Sequence, residues 1–342
     1  MSRVPILSQL SSRIVLPLLA AGLVSGTALA KDDVIETPKR KQLVIVSFDG
    51  AHDNLLWEKS RAMAKRTGAH FTYFLSCTFL FPKDERANYQ APHEKRGRSN
   101  VGFSPDKEDT ILRLGEIWLA KLEGHDIGSH ACGHFDGGKW SAADWKAEFT
   151  FFHEALKNGW QNAGVGEREP ADWQRFVAED IKGFRAPYLS AGSGLVKALE
   201  DNGFTYDASL VSKGPAMPVA SGKLARFALP LVPEGASQRP VIAMDYNLYV
   251  RHSKAKEAPE KSATFEESTL KAYRDAFARQ YDGERIPLQL GFHFVEMNAG
   301  AYWRALDRFL TETCGQKDVA CVSYAEAMGI LAKEKRATGA AL

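Results

Sequence analysis

Apolar runs of strand length alternate with amphipathic helical stretches through most of this chain. Residues 43–48 form an almost continuous apolar run that stops at Asp49-Gly50, the pattern of a strand buried on both faces. A helical pattern follows at 54–66, and this unit recurs. Recurring strand–helix units predict a parallel sheet with helices packed outside it. Further strands are predicted at 70–75, 125–129, 181–184, 204–206, 241–245 and 287–292, and further helices at 109–123, 141–163, 192–202, 265–281 and 302–314.

The first 30 residues have the features of a secretory signal peptide. Arg3 and Arg13 supply positive charge, residues 14–24 form a short apolar core, and Ala28-Leu29-Ala30 is a small-residue cleavage site. The apolar core is too short to span a bilayer comfortably, so we expect cleavage rather than a retained anchor. The mature protein is then periplasmic or secreted, with no stable membrane span.

No long Ser/Gly linker divides the rest of the chain, which favours one domain. We predict a polar leader at 31–41, a single folded domain at 42–332 and a frayed tail at 333–342. The chain has 44 basic and 42 acidic side chains, and loss of Arg3 and Arg13 with the signal peptide makes the two numbers equal. Because no block of basic residues is present, nucleic acid is not an expected partner.

Side chains that can carry chemistry follow the predicted strands. His130 and His134 come after the third strand, and imidazole is a favoured ligand of zinc and neighbouring divalent ions. An isolated pair of histidines could equally lie on the surface. Other candidate side chains are expected beside this pair, because an α/β barrel places its functional groups at the carboxyl ends of its strands. The other candidates at such positions are Asp49, His52, Asp53, Arg185, Tyr188, Asp207 and His293.

The four cysteines favour two disulfides in an exported chain. Cys314 and Cys321 flank a short turn-like stretch, which makes them the simplest pair and leaves Cys77 and Cys132, both after predicted strands. Cys132 as a third metal ligand is the alternative, although oxidising conditions oppose a free thiolate.

The order of these residues resembles that of the polysaccharide deacetylase family, the NodB-like enzymes of carbohydrate esterase family 4. The resemblance covers about 43–331 and rests on short motifs. These are Ser47-Phe48-Asp49-Gly50, His130-Ala131-Cys132-Gly133-His134, Arg185-Ala186-Pro187-Tyr188, Tyr206-Asp207-Ala208-Ser209 and Leu290-Gly291-Phe292-His293.

The resemblance implies an irregular (β/α)7-type barrel that removes N-acetyl groups from a glycan, of chitooligosaccharide or peptidoglycan type, with a metal-activated water. It makes His130 and His134 metal ligands, Asp49 the general base and His293 the catalytic acid. Arg185 is the natural partner to keep Asp49 ionised.

Three further residues are candidates for the substrate-binding cleft. Tyr188 and Trp140 could stack on sugar faces, although Trp140 is equally consistent with packing. Asp207 could orient His293 or simply cap a turn.

The first motif departs from the family pattern at Gly50, which stands where the family has a metal-binding aspartate. Glycine has no side chain to offer. Asp53 is the favoured replacement, since it restores a carboxylate, and zinc is the expected ion. Asp49 or His52 could also fill the vacancy, and both His52 and Asp53 have ordinary roles at a helix start.

Two other functions remain open. The altered first motif is compatible with a metal-independent hydrolase of another non-peptide carbon–nitrogen bond, and the same cleft could belong to a non-catalytic glycan-binding protein. The segment 79–105 is long, contains Pro and Gly and has no clear periodicity. Such a segment is either a functional lid or surface decoration.

Overall fold

The computed structural model of the protein describes residues 39–338, with side chains described through Arg336. The predicted signal peptide and almost all of the predicted leader lie outside the described residues. No helix among the described residues is long and apolar enough to cross a membrane.

Strands and helices alternate along the chain as the sequence pattern predicts. The strands are β1 (Gln42–Gly50), β2 (Thr72–Leu75), β3 (Asp126–Ser129), β4 (Gly183–Phe184), β5 (Tyr206–Ser212), β6 (Val219–Ser221), β7 (Leu224–Glu234), β8 (Arg239–Ile242), β9 (Leu288–His293) and β10 (Val319–Val322). The helices are α1 (Asn54–Thr67), α2 (Lys107–Leu122), α3 (Ala142–Lys157), α4 (Gly159–Asn162), α5 (Trp173–Glu179), α6 (Ser193–Asp201), α7 (Asp245–Ser253), α8 (Ser262–Asp282), α9 (Met297–Thr313) and α10 (Tyr324–Thr338).

The sheet is mostly parallel and curls into an irregular barrel. Its strands run in the order β10-β1-β2-β3-β4-β5-β7-β6. The strand β9 pairs with the edge of β1 that faces away from β2. The gap between β7 and β9 is bridged by Ala243, whose N–H donates to the Pro230 carbonyl and whose carbonyl accepts from Gly291 N–H, both at 2.9 Å. The predicted fold class is confirmed.

Alternate residues of β1 pack on opposite sides of the sheet. Val44, Val46 and Phe48 belong to the large cluster formed with the surrounding helices. Leu43 and Ile45 belong to a smaller cluster with residues of β2, β5, β7 and α10. Side chains that share the second face, including Asp49, therefore point to the interior of the barrel.

The structure differs from the predicted elements in several places. The long strand β7 is not predicted, and its Pro230 and Pro233 explain why, since proline is uncommon inside strands. Regular helical backbone in α9 starts only after a kink at 298–300, close to the predicted start at 302. The helix α10 continues to Thr338, so the predicted frayed tail is helical as far as it is described.

Both predicted disulfides are present. Cys77 is bonded to Cys132, and Cys314 is bonded to Cys321. The Cys132 sulfur is therefore not available as a metal ligand, and the alternative that made it one is wrong.

Candidate active site

Asp49 and Arg185 form a buried ion pair at the carboxyl end of the barrel. Asp49 lies near the end of β1, and Arg185 directly follows β4. Arg185 Nη1 donates to Asp49 Oδ1 at 2.8 Å, and Asp49 is only 3 % exposed. Three of the other four guanidinium N–H groups donate to Ser47 Oγ, the Ala208 carbonyl and the Tyr324 hydroxyl. These bonds fix the guanidinium in one orientation.

The charge of Arg185 decides the ionisation of Asp49. Burial on its own would raise the pKa of Asp49. The Arg185 guanidinium, with further positive potential from His293, outweighs burial and holds that pKa below its usual value. Asp49 is therefore a carboxylate at neutral pH, which is the form that a general base needs.

His293 lies beside Asp49, because the two residues are register partners on the neighbouring parallel strands β9 and β1. The Asp245 side chain holds His293 twice. Its Oδ2 accepts from the His293 backbone N–H at 2.9 Å, and its Oδ1 lies 2.7 Å from His293 Nδ1. A carboxylate at that distance accepts a hydrogen bond from Nδ1–H, so Nε2 is the ring nitrogen left for chemistry.

Asp245 also controls the charge of His293. Burial lowers the pKa of His293, but the negative charge of Asp245 and its bond to the ring more than compensate, so the pKa lies above its usual value. Sequence reasoning missed Asp245 and suggested Asp207 for this role. The only available signal was the position of Asp245 at the end of the strand predicted at 241–245.

His130 directly follows β3, and the ring centroids of His130 and His134 are 5.0 Å apart. His130 Nδ1 is 2.8 Å from the Arg185 carbonyl oxygen, and since a carbonyl only accepts, Nδ1 carries the proton. Burial lowers the pKa of both histidines, that of His134 to about 3. Both rings are therefore neutral at pH 7, and His130 Nε2 has a free lone pair.

These side chains surround a cavity of about 180 Å³. A cavity of this size holds part of a ligand rather than a whole drug-sized molecule. Its wall combines the titratable groups with apolar side chains. The lining residues are Asp49, Gly50, His52, Phe79, Val101, His130, His134, His293, Phe294 and Val295.

The histidine pair fits half of a metal site. His130 presents a lone pair and has its other nitrogen held by a carbonyl, as metal-ligating histidines usually do. His134 Nδ1 is buried and has no hydrogen-bond partner among residues 39–338. Both observations are those expected of imidazoles that bind a cation.

The third ligand does not fit. Gly50 has φ +87°, a conformation that side-chain-bearing residues rarely adopt. Asp53 is the N-cap of α1, and its Oδ1 accepts from the backbone N–H groups of Leu55 and Leu56 at 2.9 and 3.0 Å. Aspartate is among the best N-cap residues, which explains why it turns to the helix. The structure thus does not bring Asp53 to the cavity.

No three His, Cys, Asp or Glu side chains within the described part of the chain are grouped as a metal ion requires. Catalytic zinc sites have three protein ligands and a water. The residues present therefore do not fit such a site.

Two of the predicted substrate-binding residues are buried away from the cavity. Asp207 is fully buried, and it accepts from Arg226 Nε at 2.9 Å and from Ser209 rather than orienting His293. Trp140 is 8 % exposed and packs edge-on against Trp145, so it has no free face for a sugar. In both cases the side chain contacts other residues of the fold instead of the cavity.

Tyr188 remains a good candidate for the cleft wall. Its side chain is 59 % exposed, and its ring centroid lies 4.6 Å from that of His134. The residue has φ 58°, in the left-handed region, which turns the ring out of the short helical turn at Pro187–Leu189.

Comparisons with known proteins show the fold. No protein-family profile and no curated protein sequence matches the chain. Among solved structures, it is similar to one described as a polysaccharide deacetylase from Mycobacterium smegmatis, with a TM-score of 0.53, 17% identity and coverage of 88% of this chain and 94% of that one. A second, described as a polysaccharide deacetylase from Pseudomonas aeruginosa PAO1, gives a TM-score of 0.52 and 13% identity over 87% of this chain and 96% of that one. The described chain therefore has the fold of the NodB-like polysaccharide deacetylases.

Proposed function

We propose that the protein is an exported hydrolase that removes N-acetyl groups from a glycan of chitooligosaccharide or peptidoglycan type. The observation that supports this most is the pairing of Asp49 with His293 across β1 and β9. Each has its own buried partner, Arg185 for Asp49 and Asp245 for His293. One group is thus kept ionised as a base and the other kept protonated as an acid, on the wall of one cavity.

In this proposal the reaction is the addition of water to an amide. Asp49 accepts a proton from a water molecule, whose oxygen attacks the acetyl carbonyl carbon. When the carbon–nitrogen bond breaks, His293 donates its Nε2 proton to the sugar nitrogen. The products are acetate and a free amine, and exchange with solvent returns Asp49 and His293 to their starting protonation states.

The incomplete ligand set favours a second candidate in the same reaction class. A metal-independent hydrolase of another non-peptide carbon–nitrogen bond would need the Asp49–Arg185 and His293–Asp245 pairs but no third metal ligand. The expected zinc ion stays a prediction, supported by the histidine pair and opposed by Gly50 and by the capping role of Asp53.

Export rests on the predicted signal peptide and is supported by the two disulfides, because disulfides persist mainly in oxidising compartments. A glycan substrate rests on the fold and on the exposed Tyr188 ring.

Metal content and acetate release, measured on the same purified samples, test these proposals. The samples are the wild type and the His130→Ala and Asp53→Ala variants, with chitooligosaccharides and peptidoglycan fragments as substrates. Acetate release together with about one metal ion per chain, lost only in His130→Ala, would support a deacetylase whose third ligand is not Asp53. Loss in both variants would restore Asp53 as a ligand.

Acetate release from metal-free wild type would support the metal-independent mechanism. Failure to release acetate, together with binding of the same oligosaccharides, would overturn the proposal in favour of a glycan-binding protein. In that case Asp49→Asn would leave binding unchanged.

A further inference from the structure

The loop that carries both cavity histidines, residues 130–134, has an unfavourable backbone. Ala131 and His134 have φ values of 59° and 54°, in the left-handed region that favours glycine. Two such residues within four positions persist only where the surroundings hold them. We call residues 130–134 the histidine loop.

The surroundings that hold the histidine loop come mainly from residues 77–105, which we call the long segment and which include the predicted segment 79–105. Its Cys77 is bonded to Cys132, and Cys77 N–H donates to the Ala131 carbonyl at 3.1 Å. Thr78 Oγ1 donates to the Cys132 carbonyl at 3.0 Å. Cys77 and Thr78 thus hold the first turn of the loop, directly before residues 79–105, which the sequence predicts to be either a functional lid or surface decoration.

Asn100, farther along the same segment, holds the other end of the loop. Its backbone N–H donates to the Gly133 carbonyl at 2.8 Å, and its Nδ2 donates to the His134 carbonyl at 3.0 Å. The carbonyl groups of all four residues from Ala131 to His134 therefore accept hydrogen bonds from the long segment.

Two N–H groups of the loop, those of Cys132 and Gly133, are held by two buried side chains, Glu148 and Tyr89. Glu148, on α3, accepts from Cys132 N–H at 2.9 Å and from the Tyr89 hydroxyl at 2.8 Å through the same Oε1. The Tyr89 hydroxyl in turn accepts from Gly133 N–H at 2.9 Å. A Cβ on Gly133 would lie 2.7 Å from that hydroxyl, so only glycine admits Tyr89 beneath the loop.

Fold stability alone does not account for Glu148. It is 1 % exposed, and its Oε2 has no hydrogen-bond partner within residues 39–338. Burial raises the pKa of Glu148 to about 7, although its hydrogen bonds oppose this. A buried carboxyl with an unpartnered oxygen is costly, and such groups are commonly kept for function.

We propose that Glu148 and Tyr89 are positioning residues that set where His130 and His134 stand in the cavity, an inference that rests on the proposed hydrolase function. They do not touch a substrate. They act through the backbone of the histidine loop, and Asn100 completes the support from the opposite side.

Tyr89→Phe, Asn100→Ala, Glu148→Leu and Glu148→Gln test this proposal. The first three remove a hydrogen bond to the loop, whereas glutamine keeps an oxygen that accepts from both Cys132 and Tyr89. We expect kcat to fall about 10- to 100-fold in Tyr89→Phe and Glu148→Leu with KM changed less than about threefold. His130 and His134 line the same cavity as Asp49 and His293, and small displacements within an active site have effects of this size. Glu148→Gln should recover most of the lost kcat.

Tyr73→Phe is the matched control. Tyr73 is also fully buried and also makes a hydroxyl hydrogen bond, to Ser60, but it does not contact the histidine loop. This variant should lose stability without losing kcat. Asn100 is exposed, so Asn100→Ala gives a folded variant even if Glu148→Leu does not.

Histidine ring NMR spectra give a readout that does not depend on turnover. The His130 and His134 signals, assigned with His130→Gln and His134→Gln, should move in Tyr89→Phe and Asn100→Ala but not in Tyr73→Phe. Unchanged histidine signals and unchanged kcat in folded Tyr89→Phe and Asn100→Ala would overturn the inference. A wild type that hydrolyses nothing would instead overturn the proposed function, and the spectra would still decide the positioning role.

Discussion

The two ends of the barrel both hold buried histidines and carboxylates, but they use them differently. At the amino end of β3, His125 Nδ1 accepts from the Phe71 backbone N–H at 2.9 Å. The adjacent Asp126 accepts from Thr72 Oγ1 at 2.9 Å and from the Tyr206 hydroxyl at 2.6 Å. Both side chains therefore use their hydrogen bonds to hold neighbouring strands of the fold.

At the carboxyl end, buried polar residues that are hydrogen-bonded within the fold hold other polar residues that can still bind a ligand. Arg185 and Asp245 are completely buried, and they fix Asp49 and His293, which line the cavity. A buried polar residue therefore indicates a site only where part of its hydrogen-bonding capacity remains open to a ligand. Three predictions test this difference between the two ends, and a fourth compares the rim of the cavity with the core beside it.

The largest effect is expected from Asp49→Asn. Loss of the general base should lower acetate release about 10³-fold, within the range typical of general acid–base catalysis. Arg185 would keep a buried charge without its partner, so the free energy of unfolding should also fall, by about 3–5 kcal/mol. Steady-state kinetics and urea unfolding measure the two effects.

Asp126→Asn is the control at the amino end, since it is the same substitution at a buried aspartate. It should change acetate release less than about threefold, because Asp126 lines no part of the cavity. Equal losses of activity in the two variants would show that the ends do not differ as described.

Asp245→Asn should move the pH profile rather than abolish activity at every pH. The pKa of His293 is raised by Asp245 against the effect of burial, so neutralising Asp245 lets burial lower that pKa. The basic limb of kcat/KM, which reports loss of the His293 proton, should shift to lower pH, and activity at pH 8 should fall about 100-fold. Asp207→Asn, whose aspartate pairs with Arg226, should leave the limb in place.

Much of this carboxyl end could be predicted from the sequence. Asp49, His130, Arg185 and His293 each directly follow a predicted strand, and parallel strands bring such positions to one end. The disulfides were also predictable from the turn-like spacing of Cys314 and Cys321.

The roles of Asp53 and Asp245 could not be predicted, because they depend on whether a side chain binds a neighbour in the sequence or a distant residue. Asp53 lies one residue before a helix, where capping two N–H groups outweighs a distant role, and this choice cannot be read from spacing alone. Asp245 contacts His293 from 48 positions away in the chain, through an irregular segment that closes the barrel. No sequence period connects two such positions.

At the amino end, His125→Gln should change stability and leave catalysis alone. Burial lowers the pKa of His125 to about 4, so below pH 6.5 the unfolded chain binds a proton that the folded chain does not. The free energy of unfolding of the wild type should therefore fall as the pH falls from 6.5 to 4, and this group contributes about 3 kcal/mol to that change. Urea unfolding at several pH values should show a weaker dependence in the variant.

His130 and His134 contribute to the same pH window, because burial lowers their pKa values too. The difference between wild type and His125→Gln isolates the amino-end group, since distant sites usually contribute additively. A variant with an unchanged pH dependence, or with kcat reduced as in Asp49→Asn, would contradict the proposed division between the ends.

The smallest effect on catalysis is expected at the rim of the cavity, compared with the core beside it. Tyr188 exposes most of its ring next to His134, whereas Trp140 is packed against Trp145. If Tyr188 stacks on a sugar, Tyr188→Ala should raise KM about 2- to 10-fold, because an aromatic contact contributes about 0.5–1.5 kcal/mol. Trp140→Phe should lower the free energy of unfolding and leave KM unchanged. An increase in KM for Trp140→Phe alone would return the sugar-binding role to Trp140 and would mean that the binding surface extends beyond the cavity described.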